Sequence, residues 1–239
     1  MQFQLNGRVE RGLVVKNRKK TAVILGATGL VGNELVNILI QQQKYEKIHL
    51  LVRRPPDSHD PVCEVHVIDF EQLHTYREFF QVTDVFCCLG TTIKKAKSKE
   101  AFRKVDYEYP VEAAKMACES GAEKFLMITA MGSNPKSRIF YNQVKGEVEE
   151  SISKLTIPSI HIFRPSLLLG KRDEFRFGEK IAEKASILLN LIMVGPLRPF
   201  KAIEAKNVAA AMASMARTGK SGVNIYPSHE IERIAKENN

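Results

Sequence analysis

The sequence predicts an α/β fold organised as a doubly wound parallel sheet. Three observations support this. Short apolar runs recur along the first two thirds of the chain, stretches with helical periodicity separate them, and the turn after the first run holds glycines spaced by three, Gly26, Gly29 and Gly32. In order, Ala22–Leu25 reads as a strand, and Leu30, Val31, Leu35, Val36, Ile38 and Leu39 mark the helix that follows it, up to the polar Gln41-Gln42-Gln43. Strands are expected over Lys47–Val52 and Glu64–Phe70, a helix over Glu71–Phe80 and a buried strand over Asp84–Leu89. A long helical region spans Lys99–Ser120 with a break expected near Pro110, because proline lacks the N–H an internal helical position needs. The strand Lys124–Thr129, a helix from about Tyr141 to Leu155 and the strand Ser159–Phe163 complete the alternation.

Right-handed crossovers place the C-terminal ends of all parallel strands on one edge, where ligands of such sheets bind. That edge collects Gly26–Gly32, Arg53-Arg54, Asp69, Gly90-Thr91-Thr92, Thr129–Ser133 and Pro165-Ser166.

From Leu167 onward the alternation weakens. Phe177–Met193 and Ala202–Ala216 read as helices and Val223–Tyr226 as a short strand. The expected organisation is a basic leader over 1–20, a dinucleotide-binding domain over 21–166 and a small C-terminal substrate lobe over 167–239. The 239 residues, 44% of them hydrophobic, suffice for such a unit. Phe175, Phe177, Leu188, Leu189, Leu191, Ile192, Met193 and Phe200 are candidates for an apolar pocket wall taking a hydrophobic substrate; core or a homodimer face are the alternative uses.

Charge says less than its total of +9 suggests, because residues 1–20 hold six Lys or Arg against one Glu. A mobile basic arm, a vector-derived extension and a weak organelle-targeting segment all fit that leader, which lacks the apolar centre of a signal peptide. The run Lys94-Lys95-Ala96-Lys97-Ser98-Lys99 reads as a solvated loop, and no nucleic-acid partner is expected. The apolar stretch from Ala185 to Val194 is too short for a transmembrane segment. Cys63, Cys87, Cys88 and Cys118 show no metal spacing, which suggests a reduced, cytoplasmic setting. The six histidines are scattered in sequence, so no metal is expected.

The glycine turn carries the first chemistry. Gly26 allows the tight turn, Gly29 a close approach of phosphates and Gly32 close packing of helix on strand, while Thr28, Leu30 and Val31 complete the loop and the helix start. A pyrophosphate then sits at the helix N-terminus, where free N–H groups and the helix dipole favour negative charge. About 20 residues beyond such a turn an NAD site usually carries an acid for the ribose 2′-OH. Here Arg53 and Arg54 occupy that place, and a guanidinium matches a 2′-phosphate, so NADP(H) is the expected cofactor, with NAD possible. Asp69 is a candidate acceptor for the adenine amino group, or else a helix cap.

Tyr141 and Lys145 stand four residues apart, one helical turn on one face. A phenol ionises near pH 10, and a neighbouring cation favours its phenolate, which is the combination proton transfer at neutral pH requires. Together with Gly26-Ala27-Thr28-Gly29-Leu30-Val31-Gly32, this pair resembles the short-chain dehydrogenase/reductase superfamily, a Rossmann-fold family, in its extended or atypical branch. Phe86-Cys87-Cys88-Leu89-Gly90-Thr91-Thr92, Tyr141–Glu149 and Arg164-Pro165-Ser166 with Gly170 are similar to the group that contains the vertebrate Tat-interacting oxidoreductase and its bacterial relatives. The resemblance covers about residues 20 to 230. It implies Tyr141 as general acid/base, Lys145 on the nicotinamide ribose, Thr129 holding the substrate carbonyl, and Leu89, Gly90, Thr91 and Pro165 along the cofactor. The family often has a Ser-Ser pair where this chain has Thr129-Ala130, and Ser133 is the alternative source of the hydroxyl. Carbonyl reduction of a small-molecule substrate is the expected activity. A nucleotide-binding regulatory or redox-sensor protein without turnover, acting through a protein partner, is the other reading. UDP-sugar epimerisation uses the same Tyr and Lys but needs a larger sugar-binding lobe.

Overall fold

The computed structural model describes residues 20–56, 58–170 and 201–237. The leader 1–19, the expected helix Phe177–Met193 and the apolar candidates Phe175 to Phe200 lie outside the described residues. Strands β1 (Lys20–Leu25), β2 (Tyr45–Val52), β3 (Cys63–Val67), β4 (Asp84–Cys87), β5 (Lys124–Ile128), β6 (Ser159–Arg164) and β9 (Gly222–Pro227) form one sheet in the order β3-β2-β1-β4-β5-β6-β9. Every neighbouring pair is parallel. The order reverses between β1 and β4, the expected place for a dinucleotide. A two-stranded parallel ribbon joins β7 (Leu168–Leu169) to β8 (Ile203–Glu204).

Alternation along each strand sends side chains to two cores. Ala22 and Ile24 of β1, Ile48 and Leu50 of β2, and Phe86, Leu126, Phe163 and Tyr226 face helices α1 (Leu30–Gln42), α6 (Ala205–Met215) and α7 (Ser228–Glu237). Val23, Leu25, Leu51, Val85, Phe125 and Ile162 face α4 (Tyr109–Glu119) and α5 (Phe140–Ser153) on the other side. Beyond Leu167, the described residues add to these same layers: β9 extends the sheet beside β6, and the alanine-rich α6 packs against α1.

The run read as a solvated loop contains a short helix, α2 (Ile93–Ala96), started by the Thr92 hydroxyl, which accepts the Lys95 N–H at 3.2 Å, and α7 is not among the expected helices. Two further differences each have a local reason. Residues Phe70–Phe80 form successive 3₁₀ turns, kinked at Gln72 and Tyr76, rather than an α-helix. Phe70, Leu73, Tyr76 and Phe79 are spaced by three, the 3₁₀ repeat, and all four pack toward the α4/α5 core. The break expected near Pro110 is a π-helical turn, Lys104–Glu108, between α3 (Lys99–Arg103) and α4. The Tyr109 N–H reaches back to the Lys104 carbonyl, so the helix absorbs the proline by widening instead of ending.

The edge opposite the ligand edge is tied by polar groups. Asp84, fully buried at the start of β4, accepts from the Tyr45 hydroxyl at 2.6 Å and from Lys20 Nζ at 3.2 Å, joining β1, β2 and β4. Buried His161 of β6 bridges the Ser159 hydroxyl (Nε2, 2.8 Å) and the Tyr226 hydroxyl of β9 (Nδ1, 2.9 Å). Burial, with Lys124 and Lys220 nearby, holds His161 down at about 4, so it is neutral in the folded protein and takes up a proton on unfolding below about pH 6.5.

Between about pH 6.5 and 4 the unfolded chain binds more protons at this residue, so stability falls as pH drops through that window. The full difference is about 3 kcal/mol. Denaturant melts from pH 7 to pH 4 are expected to show a shallower acid loss for His161→Gln than for the parent chain, despite lower stability at pH 7.

Candidate functional site

The turn from β1 into α1 is a backbone cradle. Gly26 has φ +80°, in the left-handed region, and its carbonyl accepts the Gly29 N–H at 2.9 Å. A Cβ on Gly26 would stand 2.7 Å from the Cys88 carbonyl oxygen at the end of β4, and one on Gly32 would stand 2.1 Å from the Gly26 oxygen. Neither site has room for a side chain. Gly29 is the N-cap of α1 and supplies no side-chain cap, and the first turn of α1 carries no acid, so the helix N-terminus suits an anion. Thr28 is exposed beside this turn, Val31 and Gly32 are buried, and Leu30 lies under Gly170.

Arg53 and Arg54 directly follow β2, the neighbour of β1, and both are exposed. A cavity of about 370 Å³ opens between α1 and the stretch after these arginines, lined by Thr28, Asn33, Asn37, Val52, Pro56 and Ser58 among others. Asp69 caps the 3₁₀ segment, its Oδ1 accepting the Glu71 N–H at 2.9 Å, and its carboxylate remains exposed at the same edge.

On the far side of the switch point, α5 presents Tyr141 and Lys145. Lys145 is buried, and its ammonium lies 2.8 Å from Asp106 Oδ1, itself fully buried in the π turn. The other carboxylate oxygen of Asp106 accepts the Thr91 N–H at 2.9 Å, tying the loop after β4 to the same pair. A Cβ on Gly90 would stand 3.6 Å from Asp106 Oδ1 and 3.9 Å from Lys145 Nζ, so the Gly90 backbone passes directly over the ion pair. Burial opposes the ammonium, but Asp106 first, then Tyr141 and Cys87, outweigh it and hold Lys145 above the usual lysine range. The Tyr141 ring is half-buried and packs against Phe102, centroids 5.5 Å apart.

The two hydroxyls considered for the substrate are engaged elsewhere. Thr129 Oγ1 donates to Glu149 Oε1 at 2.5 Å, and Glu149 is buried and held by the Arg164 guanidinium, Nε to Oε1 at 3.0 Å. Ser133 Oγ donates to the Ala130 carbonyl at 2.7 Å. A hydroxyl has one proton to give, and here both protons are directed to protein acceptors. Pro165 is buried and its carbonyl accepts the Met131 N–H at 2.8 Å, which closes the strand ends of β5 and β6 together. Cys87 is buried, and burial pushes its thiol up to about 12, which suits a core residue rather than a reactive thiolate.

Asp106, Glu149 and Arg164 stood outside the sequence reading of the site. For Asp106 the available signal was its place four residues before Pro110, where proline withholds the N–H that would bond to its carbonyl and a π turn follows. The histidines are also closer than their spacing suggests: His49 and His66 meet across β2 and β3.

Two substitutions report on this architecture. Asp106→Asn leaves a buried ammonium without its counter-charge and is expected to cost about 3–5 kcal/mol in denaturant unfolding. Gly32→Ala forces a Cβ into the Gly26 carbonyl and is expected to cost on the order of 1–3 kcal/mol in the same measurement.

A family model described as NAD(P)H-binding matches residues 26–154. Protein HTATIP2 of Rattus norvegicus is 37% identical over 174 residues, 71% of this chain and 71% of that protein. The mitochondrial protein FMP52 of Debaryomyces hansenii is 33% identical over 225 residues, covering 90% of this chain and 98% of that protein. Among solved structures, MoeE5 in complex with UDP-glucose and NAD shares the fold with a TM-score of 0.65 at 12% identity, over 91% of this chain and 81% of that one. A short-chain dehydrogenase/reductase superfamily protein from Agrobacterium tumefaciens with bound NAD does so with a TM-score of 0.65 at 13% identity over the same shares. The cytoplasmic expectation is corrected by these relatives, because several yeast proteins matching this chain are named as mitochondrial. Unpaired cysteines argue against an oxidising compartment only, and do not separate cytosol from the interior of an organelle. No helix among the described residues is long and apolar enough to cross a membrane. The chain belongs to the NAD(P)H-binding family, and its sheet has a Rossmann-like fold.

Proposed function

We propose that this protein is an NADP(H)-dependent reductase of a carbonyl substrate. The observation that carries this reading is the placing of Tyr141 one helical turn from a buried Lys145, whose ammonium Asp106 fixes beside the Gly90 loop at the strand C-terminal edge. The nicotinamide cofactor, when bound, supplies a hydride. Tyr141 gives its phenolic proton to the carbonyl oxygen, so hydride and proton together leave an alcohol. Lys145 stabilises the phenolate left behind and binds the ribose hydroxyls, and Asp106 keeps its charge and position. Gly26, Gly29 and the α1 N-terminus hold the pyrophosphate, Arg53 and Arg54 the 2′-phosphate, and Asp69 the adenine edge. Leu89, Gly90, Thr91 and Pro165 line the nicotinamide half. The yeast relatives support a mitochondrial setting.

Two observations favour a second reading, in which nucleotide occupancy sets conformation without turnover. Thr129 and Ser133 both direct their protons to protein acceptors, and Asp106 offsets part of the Lys145 field at Tyr141. A substrate must turn the Thr129 hydroxyl away from Glu149 for Thr129 to hold its carbonyl.

Isothermal titration and an NADPH-consumption screen of aldehydes, ketones and quinones separate the readings. NADPH is expected to bind at least about tenfold more weakly to Arg53→Ala/Arg54→Ala, a loss of about 1.4 kcal/mol, with NADH affinity unchanged. Turnover is expected to fall at least about a hundredfold in Tyr141→Phe with NADPH binding retained. Tight binding with no turnover across the screen supports the second reading, and no nucleotide binding overturns both.

A further inference from the structure

On the outer edge of the sheet, β2 and β3 bring together three side chains that the nucleotide site does not use. Alternate residues of a strand share a face, so Glu64 and His66 lie together on β3, and the register sets Glu64 beside His49 of β2. His49 Nδ1 is 3.0 Å from His66 Nε2 and 3.4 Å from Glu64 Oε2, and His66 Nε2 is 4.0 Å from that same oxygen. The 3₁₀ segment covers the group from above: Phe79 stacks on the His66 ring at 3.9 Å and lies 5.4 Å from the His49 ring. Both imidazoles are half-buried, and Glu64 opens to solvent.

We propose that His49, Glu64 and His66 form a binding site for one borderline divalent transition-metal cation, with zinc the best match. Ligand atoms at about 2.0–2.1 Å from a tetrahedral zinc stand about 3.3–3.5 Å apart, and the three separations here bracket that distance. Two imidazoles and one carboxylate are a zinc donor set that leaves a fourth position for water, whereas calcium and magnesium demand more oxygens. Lys47 holds the other carboxylate oxygen, Oε1, at 2.7 Å, which leaves Oε2 turned to the histidines. Without metal, one imidazole donates to the other; with metal, both facing nitrogens present lone pairs and the shared proton moves to the outer nitrogen of its own ring. A hydrogen bond between two histidines alone leaves unexplained why a carboxylate from the neighbouring position converges on the same point. The cation would clip β3, which among the described residues pairs only with β2 in the sheet, and so steady the loop that carries Asp69 three residues beyond His66.

The test uses the full chain, stripped with a chelator and titrated with zinc chloride by calorimetry and with cobalt(II) by visible absorption. Expected are one ion per chain, a rise in the melting temperature, and a four-coordinate cobalt spectrum without a thiolate charge-transfer band. His66→Asn and His49→Ala are expected to weaken binding at least about tenfold. His74→Ala, an exposed histidine outside the group, is expected to leave it unchanged. Glu64→Gln, at an exposed position, keeps the test valid if a histidine variant fails to fold; it too is expected to weaken binding. No stoichiometric binding by the parent chain, a thiolate-dominated cobalt spectrum, or binding that survives in folded His66→Asn or Glu64→Gln overturns the proposal.

Discussion

The close approach of backbone to backbone at Gly26 and Gly32 is the constraint on which the rest of the structure depends. Gly26 lies against the Cys88 carbonyl, so the first turn is wedged over the end of β4, at the place where strand order reverses. Gly32 lies against the Gly26 carbonyl, so α1 is drawn down onto its own turn. Together these contacts set the position of α1, and α1 in turn supplies the surface on which α6 packs. The same absence of side chains that permits the packing leaves N–H groups facing the ligand edge. Fold and the proposed anion site therefore share one cause.

A second dependence runs through Lys145. A buried ammonium is tolerable only with a counter-charge, and Asp106 provides it from a different element, the π turn ahead of Pro110. Because Asp106 also accepts the Thr91 N–H, the loop after β4, the π turn and α5 are joined at one carboxylate. A regular helix through Lys104–Glu108 would rotate and shift that carboxylate relative to Lys145. The departure from α-helical geometry is thus tied to the Asp106–Lys145 pair.

Much of the architecture was legible because its signals are local. Glycine spacing, apolar runs and helical periodicity act over a few residues, and they placed the strands β1 to β6 and β9, α1 and α5. The 3₁₀ segment was harder to read: Phe70, Leu73, Tyr76 and Phe79 recur by three, but only the groove they fill selects the tighter helix over the α form. Pro110 signalled a disturbance, but whether a helix ends or widens there depends on what surrounds it. The setting of the protein is not legible in its cysteines, because free thiols record redox conditions rather than location.

By itself, then, the sequence determined the alternation of strands and helices from β1 to β6, the glycine turn, the arginines after β2 and the Tyr141–Lys145 spacing, since each rests on steric or periodic rules within a short stretch of chain. Only the tertiary structure decided which polar groups meet. Asp106 finds Lys145 across 39 residues of chain, Thr129 finds Glu149 across 20, and His49 finds His66 through strand register. Such pairings depend on burial and on the alignment of separate elements, and a carboxylate or hydroxyl looks the same in a sequence whether its partner is water, a ligand or a buried charge.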